Sequence, residues 1–225
     1  MNIWSKIRGI LYAIEFVISV LAVVFFMAIF RNHMHKIRII WAKTQLFFSG
    51  TNIELYGKFD DSANMIIMNH QSLLDIIVME SIYPKNLSWI AKKEIGQIPI
   101  LGLILKLPKM IPVDRKNPRE IVKLLKEVKD RVENGRVVAI FPEGTRGRGE
   151  KLLKFQTGAK VLTEKLKLKV QPVVLINTKK VLDSKNLILN KGTVKIMPLD
   201  IIDTTNENWF EQVRSQMQEC LDKNS

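Results

Sequence analysis

The first thirty residues of the chain are almost wholly apolar. From Ile10 to Phe30 the sequence runs for 21 residues in which Glu15 is the only charged side chain. As a helix that rises about 1.5 Å per residue, this run would be roughly 30 Å long, which matches the hydrocarbon thickness of a bilayer. The pattern therefore predicts a membrane-embedded helix.

A cleaved signal peptide is the competing interpretation, because Lys6 and Arg8 precede the apolar run. The run is longer than the apolar region of such peptides, and no small-residue cleavage site follows it. Positive residues lie on both sides of the run, so the positive-inside rule gives no orientation. A helix that spans the bilayer and one that stays within a single leaflet both remain open.

The next segment, His33 to Phe48, mixes cations with large apolar side chains, as is typical of a helix at a membrane interface. We expect its cations to contact anionic headgroups and its rings to lie at the acyl boundary. Residues 1–50 would then form a membrane-binding helical segment, and residues 51–225 a domain on the cytoplasmic face of the inner membrane. The cations and apolar residues in question are Lys36, Arg38, Lys43, Ile37, Ile39, Ile40, Trp41, Leu46, Phe47 and Phe48.

Beyond residue 50, short apolar runs alternate with helical patterns, which predicts an α/β domain with a mixed or largely parallel sheet between helices. Ligands of such sheets usually bind beyond the carboxyl ends of the strands. The predicted strands are Ile53–Gly57, Met65–Met68, Leu87–Ala91, Met110–Val113, Val137–Phe141, Val170–Ile176 and Thr193–Met197. The predicted helices are Leu73–Ile82, Pro118–Glu133 and Thr157–Leu166, together with the polar tail from Asn206.

The formal charge of +13, from 35 Lys and Arg against 22 Asp and Glu, predicts a surface that attracts anions. Composition alone allows nucleic acid, phospholipid headgroups, phosphorylated metabolites or an acidic carrier protein. The basic residues form no single concentrated arm with interleaved aromatics, and the apolar segment favours lipid. We therefore expect no nucleic-acid partner.

Cysteine and histidine are scarce. Cys220 is the only thiol, which excludes an intramolecular disulfide and gives no sign of an oxidising compartment. The 3 His and 1 Cys of the chain have no zinc-ligand spacing. We expect neither a metal nor an organic cofactor.

Asn69-His70 interrupts one apolar run, and Asp75 stands at the front of the next. Ser72 is a suitable N-cap, and Asp75 suits both a capping box and the positive end of the helix dipole. His70 has no comparable structural reason. If Asp75 holds one imidazole nitrogen, the other is free to take a proton, and the ordinary histidine pKa of about 6.5 suits that role.

Covalent catalysis by Ser72 is a weaker alternative, because the sequence has no G-x-S-x-G elbow and the cap already explains this serine. The pairing of His70 with Asp75 favours direct activation of a substrate hydroxyl over covalent catalysis by Ser72.

A second candidate motif is FPEGTRGRG, which begins at Phe141 after an apolar strand. Gly144 permits a close approach of the backbone to a ligand, and Arg146 offers a planar fork for phosphate. The order G-x-x-x-x-G-K-[ST] is absent, which disfavours a nucleotide-binding P-loop.

Together, N-H-x-x-x-x-D at Asn69 to Asp75 and F-P-E-G-T-R about seventy residues later resemble the motifs of the glycerolipid acyltransferase superfamily. The resemblance is strongest to bacterial 1-acyl-glycerol-3-phosphate acyltransferases, and it extends from about Gly57 to Pro198. Weaker matches are Lys93-Glu94 with Pro99, Gly102 and Ile111 to Arg115, and the Pro172-containing strand Val170 to Leu175.

The resemblance implies a mixed sheet flanked by helices and the transfer of an acyl chain from acyl-CoA or acyl carrier protein to the sn-2 hydroxyl of lysophosphatidic acid. It implies that His70 is the base and that Asp75 orients it. The residues that would bind the acceptor by the same resemblance are Arg115, Glu143, Gly144, Thr145 and Arg146.

Two positions depart from the family pattern, because Lys109 and Pro112 stand where the second block commonly has Gly and Phe. Contacts to the acceptor there are therefore open. Also open are an acyltransferase that acts on glycerol 3-phosphate or another lysolipid, and a non-catalytic basic protein of the membrane surface.

Overall fold

A computed structural model describes residues 3–114, 117–149 and 151–224 of the chain. The α-helices are α1 Ile3–Ile29, α2 Met34–Ser49, α3 Leu74–Ile82, α4 Leu103–Lys106, α5 Ile121–Glu133, α6 Gly158–Leu166, α7 Thr178–Val181 and α8 Trp209–Asn224. The strands are β1 Thr51–Leu55, β2 Met65–Met68, β3 Leu87–Lys92, β4 Ile111–Val113, β5 Val137–Ile140, β6 Val170–Ile176, β7 Leu182–Asp183, β8 Ile188–Leu189 and β9 Gly192–Pro198.

A seven-stranded sheet in the order β1-β9-β6-β2-β5-β3-β4 forms the centre of the molecule. The strands from β6 to β4 in this order are all parallel, whereas β9 is antiparallel to β6 and parallel to β1. The predicted mixed α/β fold is thus confirmed. The hairpin of β7 and β8 is separate from this sheet.

The two faces of the sheet bury different helices because side chains alternate along each strand. Ile66 and Met68 of β2 face a core that includes α3, Tyr12 of α1 and Ala42 of α2. Met65 and Ile67 face the opposite core, which is built with α5, α6 and α8. Because the central strands are buried on both faces of the sheet, their sequences are apolar almost without interruption.

Helices α1 and α2 form an N-terminal helix pair. Inward-facing Val20, Val23, Val24 and Met27 of α1 pack with α2 and with residues near α4. The rest of α1 is unusually apolar for an exposed surface, and it is long and apolar enough to cross a membrane. The large exposed side chains of α1 are Ile3, Trp4, Ile7, Ile10, Leu11, Ile14, Val17, Ile18, Leu21, Phe25, Phe26 and Ile29.

Helix α2 corrects one expectation about the membrane interface. Arg38, which we expected to contact headgroups, is 5% exposed and pairs with Glu80 at 3.3 Å. Trp41 also points inward and donates its indole N–H to Ser19 Oγ at 3.1 Å. Phe47 and Phe48 are exposed, as predicted. The domain division at residue 50 stays a prediction.

Most predicted elements are present with boundaries shifted by one or two residues. The largest strand shift is in β1, which begins at Thr51 rather than Ile53. Helix α1 begins at Ile3, seven residues before the predicted apolar run. The pattern did not predict α4, α7 or the β7–β8 hairpin. Each of these helices and strands is only two to four residues long, which is too short to show a period.

The two departures from the family pattern lie at positions with a distinctive backbone. Lys109 has a φ of +50°, in the left-handed region that glycine favours. Pro112 lies in β4, an edge strand of the sheet, where proline is tolerated.

Candidate active site

The predicted motifs meet at one edge of the sheet because β2, β5 and β6 are parallel neighbours. Asn69, directly after β2, is fully buried. Its side chain donates to the Leu175 carbonyl at 2.8 Å and accepts from the Leu175 N–H at 2.7 Å. This pair of bonds fixes the start of the turn that carries His70.

His70 and Asp75 are in direct contact. His70 Nδ1 lies 2.7 Å from Asp75 Oδ2, and the Asp75 side chain is fully buried. Because Oδ2 also accepts from two backbone N–H groups, it acts as an acceptor here, and Nδ1 is the donor. The basic nitrogen of the imidazole is then Nε2.

The Asp75 carboxylate also orders the turn that leads into α3, whose N-cap is Leu73 rather than the predicted Ser72. Its Oδ2 accepts the backbone N–H groups of Gln71 at 2.7 Å and Ser72 at 2.8 Å. Ser72 Oγ accepts from Leu74 N–H at 3.1 Å and donates to the Leu182 carbonyl at 2.6 Å. One carboxylate oxygen therefore both orders the turn and orients the imidazole.

Glu143 connects the two motifs. It is 4% exposed, and its Oε1 accepts the His70 backbone N–H at 2.7 Å while its Oε2 accepts the Leu153 N–H at 2.8 Å. Gly147 N–H donates to the His70 carbonyl at 2.7 Å, so both polar backbone groups of residue 70 are held by this loop. Burial raises the pKa of the Glu143 carboxyl, and the hydrogen bonds from the two backbone N–H groups oppose that rise.

An aromatic stack supports the imidazole from the sheet side. The His70 ring lies on Phe141, with a centroid separation of 3.9 Å and an interplanar angle of 11°. Phe141 in turn stacks on Trp89 at 5.4 Å, and the Trp89 indole N–H donates to Glu80 Oε1 at 2.6 Å. Since Glu80 pairs with Arg38, a continuous chain of contacts joins α2 to the turn that carries His70.

A cavity of about 720 Å³ opens beyond the ends of β3, β4 and β5, between α5 and α6. Gly144 and Thr145 form part of its rim, and the turn there requires glycine because Gly144 has a φ of +75°. Apolar side chains dominate its interior. They include Ile90, Val113, Ile121, Leu124, Ile140, Val161 and Leu162.

Arg146 and Thr145 are exposed. Arg146 Nη1 donates to Ser184 Oγ at 3.0 Å, so its side chain reaches the turn between β7 and β8. Arg115, the other predicted phosphate ligand, lies outside the described residues.

A second cavity, of about 570 Å³, borders Gln71 and contains the cations Arg148, Lys179 and Lys180 beside Asp183 and Asp222. Gln71, the residue after His70, donates from its side chain to the Gly149 carbonyl at 2.8 Å. No three His, Cys, Asp or Glu side chains within residues 3–114, 117–149 and 151–224 lie close enough together to hold a metal ion.

Several residues of the site had no signal in the sequence analysis. Phe141 belongs to a recognised motif, but its stacking on His70 depends on the parallel alignment of β2 and β5. Ser184 and Glu80 contribute through contacts with Arg146 and Arg38, which are distant in sequence.

Comparison with known proteins is consistent with this arrangement. The family model described as Acyltransferase matches residues 52–176. A 1-acyl-sn-glycerol-3-phosphate acyltransferase of Helicobacter pylori is 42% identical over 219 residues, which cover 95% of this chain and 92% of that protein. A chloroplast 1-acyl-sn-glycerol-3-phosphate acyltransferase of Arabidopsis thaliana is 30% identical over 97% of this chain and 65% of its own length.

Among solved structures, the crystal structure of the 1-acyl-sn-glycerophosphate acyltransferase of Thermotoga maritima is similar in fold. The TM-score is 0.78, with 20% sequence identity and 98% of each chain covered. At this identity the likeness supports the fold alone.

Proposed function

Since the chain belongs to the acyltransferase family, we propose that it transfers a fatty acyl chain from a thioester to the sn-2 hydroxyl of lysophosphatidic acid. The product is phosphatidic acid, a precursor of membrane phospholipids. The observation that carries this proposal is the 2.7 Å contact between His70 Nδ1 and the buried Asp75 carboxylate, placed at the edge of the sheet where both family motifs meet.

The geometry supports general base catalysis by His70. Nε2 takes the proton of the acceptor hydroxyl while that oxygen forms a bond to the thioester carbonyl carbon. The tetrahedral intermediate then collapses with cleavage of the C–S bond, and the thiolate receives the proton from Nε2. Asp75 holds the imidazole in the required tautomer and stabilises its positive charge between the two steps.

We propose that Arg146 binds the phosphate of the acceptor, with Gly144 and Thr145 beside it and Arg115 as a second cation. The guanidinium of Arg146 is exposed and has one neutral hydroxyl partner, Ser184. A planar guanidinium suits bidentate contact with phosphate. Exchange of the Ser184 contact for a phosphate oxygen would bring this cation to the acceptor.

Glu143, which the resemblance implied as an acceptor-binding residue, has another role in this proposal. Both oxygens of its carboxylate already accept backbone N–H groups, those of His70 and Leu153. We therefore assign Glu143 the positioning of the His70 backbone, whereas Arg146 carries the contact with the acceptor.

The apolar cavity beyond β3, β4 and β5 suits a fatty acyl chain, because its walls are mainly aliphatic and its rim includes the polar Thr145 and Asp114. The donor is acyl-CoA or acyl carrier protein. Both carriers are anionic, and a chain of net charge +13 favours their approach.

We propose that the helix pair holds the protein on the cytoplasmic face of the inner membrane within one leaflet. Both ends of α1 contact the α/β unit: Ser5 Oγ donates to Asn190 Oδ1 at 2.7 Å, and Val24 and Met27 pack near Leu101. A helix that crossed the bilayer would separate one of these ends from the α/β unit. A single leaflet keeps both contacts and still buries the exposed apolar face of α1.

Acceptor competition tests the proposed substrate. Purified protein in mixed micelles is incubated with acyl-CoA or acyl carrier protein and with lysophosphatidic acid, glycerol 3-phosphate or lysophosphatidylcholine in turn. Acyl transfer to lysophosphatidic acid is expected to have the highest kcat/KM. Transfer to another acceptor with none to lysophosphatidic acid would overturn the substrate assignment while leaving the acyltransferase chemistry in place.

A further inference from the structure

The connection between β3 and β4 exposes an apolar patch outside the helix pair. Residues 94–107, here called the 94–107 segment, expose four large aliphatic side chains. Their exposed fractions are Ile95 41%, Ile98 46%, Ile100 58% and Leu103 36%. Clustered exposure of this kind marks a contact surface rather than ordinary solvent-facing structure.

The backbone of the 94–107 segment holds this patch in a compact turn. Ile100 has a φ of +61°, which is unfavourable for a β-branched residue. Gly102 packs so closely that a Cβ there would lie 2.4 Å from the Gly96 carbonyl oxygen. The turn therefore has a defined conformation, and it leaves Ile98 and Ile100 exposed.

The inner side of the 94–107 segment is attached to α1. Leu101, Ile104 and Leu107 pack against a buried cluster of α1 that contains Val24 and Met27. The segment therefore lies beside the C-terminal half of α1, which also exposes large apolar residues. The exposed apolar residues of that half of α1 are Leu21, Phe25, Phe26 and Ile29.

Lysines border the patch. Lys106 and Lys109 are exposed at the C-terminal end of the segment, whereas Lys92 at the other end pairs with the exposed Glu94 at 3.1 Å. Lysine stems can lie along apolar surface while their ammonium groups reach anionic phosphates. An apolar centre with a cationic border matches the boundary between acyl chains and anionic headgroups.

From this packing on α1 and this charge pattern, we propose that the 94–107 segment is a second membrane-contacting element, and that its occupant is an anionic phospholipid bilayer. The α/β unit then touches the membrane directly, in addition to its attachment through the helix pair. Ile98 and Ile100 enter the outer acyl region, and the bordering lysines remain at the headgroups.

The same contact would orient the proposed acyl cavity. Lys93, which precedes the segment, lies 2.8 Å from Glu120 Oε1, and Glu120 lines that cavity. A membrane-bound 94–107 segment therefore brings the cavity rim to the membrane surface, where a lysolipid can enter from the leaflet. This last consequence rests on the proposed function, whereas the membrane contact does not.

Site-specific fluorescence tests the contact without an activity measurement. Cys220 is the only cysteine, so Cys220→Ser gives a background in which one added thiol can be labelled with an environment-sensitive nitrobenzoxadiazole dye. Ile98→Cys and Ile100→Cys are placed in vesicles of phosphatidylglycerol and phosphatidylethanolamine. Vesicles with nitroxide-labelled acyl chains then report contact with the bilayer by quenching.

Two further variants provide controls. Phe25→Cys reports the exposed apolar face of α1, which is 61% exposed at this residue. Glu211→Cys reports α8, whose buried face belongs to the core on the opposite side of the sheet from α3 and the helix pair. Thermal unfolding of each labelled protein shows whether the label preserves the fold. If the label at residue 98 or residue 100 disrupts folding, the other position still tests the contact.

The expected result is blue-shifted emission at residues 98 and 100, with lipid-dependent quenching close to that at residue 25 and absent at residue 211. Emission and quenching at both test positions equal to those at residue 211 would overturn the proposal. A blue shift that grows with protein concentration but does not respond to the lipid quencher would also overturn it, because it would identify a second copy of the chain as the occupant.

Discussion

Asp75 performs two tasks with one oxygen atom, since Oδ2 contacts His70 Nδ1 and accepts two backbone N–H groups of the turn. Asp75→Asn keeps an oxygen at this place but removes its charge. We expect kcat to fall roughly 100-fold, as for a poorly supported general base. We also expect a loss of about 1–2 kcal/mol in unfolding free energy, as hydrogen bonds to a charged acceptor become neutral ones.

Ser72→Ala is the matched control, because it removes a hydroxyl that bonds Leu74 and Leu182 but leaves the carboxylate intact. It should cost about 1–2 kcal/mol of stability with little change in kcat. If both variants lose rate in proportion to stability, capping alone accounts for Asp75.

A substitution of Glu143 can distinguish positioning of the His70 backbone from direct binding of the acceptor. In Glu143→Gln, an NH₂ group must face one of two backbone N–H donors, those of His70 and Leu153. An unpaired buried donor costs about 1–3 kcal/mol, so stability and kcat should both fall while KM for the acceptor changes little. A rise in KM for the acceptor at unchanged kcat would instead support direct binding of the acceptor by Glu143.

At the residue level, the sequence predicted the contact between His70 and Asp75, but not the side chains that support it. The contact of His70 with Asp75 is local, because the turn before α3 brings them together within a few residues. The bonds of Glu143 and the stacking of Phe141 depend on which strands are neighbours. Spacing along one sequence does not contain that information.

Helices α2 and α3 are joined by a buried ion pair. Arg38 and Glu80 have side chains only 6% and 5% exposed. Burial lowers the pKa of the Arg38 guanidinium, and Glu80 acts in the opposite direction. Glu80→Gln would leave Arg38 charged and without its carboxylate, so we expect a loss of about 3–5 kcal/mol in unfolding free energy.

The control for this prediction is Glu133→Gln, which ends the exposed pair with Lys129, 3.7 Å apart in α5. Exposed pairs of this kind contribute little. Chemical unfolding in detergent would measure both variants. Equal losses of unfolding free energy in the two variants would mean that the buried pair between α2 and α3 stabilises the fold no more than an exposed pair.

At the element level, the strands buried on both faces were the most predictable part of the fold. Their residues are apolar almost without interruption, as in β2 and β6. The edge strand β1 alternates with polar residues such as Asn52 and Glu54, which explains the shift of its predicted start. Elements of two to four residues, such as β7 and β8, are too short to show a period.

At the scale of the whole molecule, both ends of α1 contact the α/β unit, which predicts that they lie on one side of the membrane. Ser5 Oγ donates to Asn190 Oδ1 at 2.7 Å near the N-terminal end of α1, and Met27 packs near Leu101 at the other end. In a Cys220→Ser background, Lys6→Cys and Lys185→Cys should react equally with a membrane-impermeant maleimide in inverted vesicles. Protection of residue 6 until the vesicles are lysed would indicate a spanning helix instead.

The sequence predicted an apolar front end and a basic surface, but left the arrangement of the helix pair open. Hydropathy identifies α1 without stating which of its side chains face protein. The inward contacts of Arg38 and Trp41 depend on Glu80 and Ser19, which lie in other helices. Packing between elements therefore accounts for most of what the pattern missed.

The proposed function depends most directly on His70. Acyl transfer from acyl-CoA to lysophosphatidic acid is measured for the unmodified chain, His70→Ala and His35→Ala, with His35 as a matched histidine in α2. We predict that His70→Ala loses roughly 100-fold or more in kcat, because the general base is gone, while His35→Ala retains its rate. A His70→Ala protein that remains folded and retains most of the rate would contradict the mechanism proposed for this site.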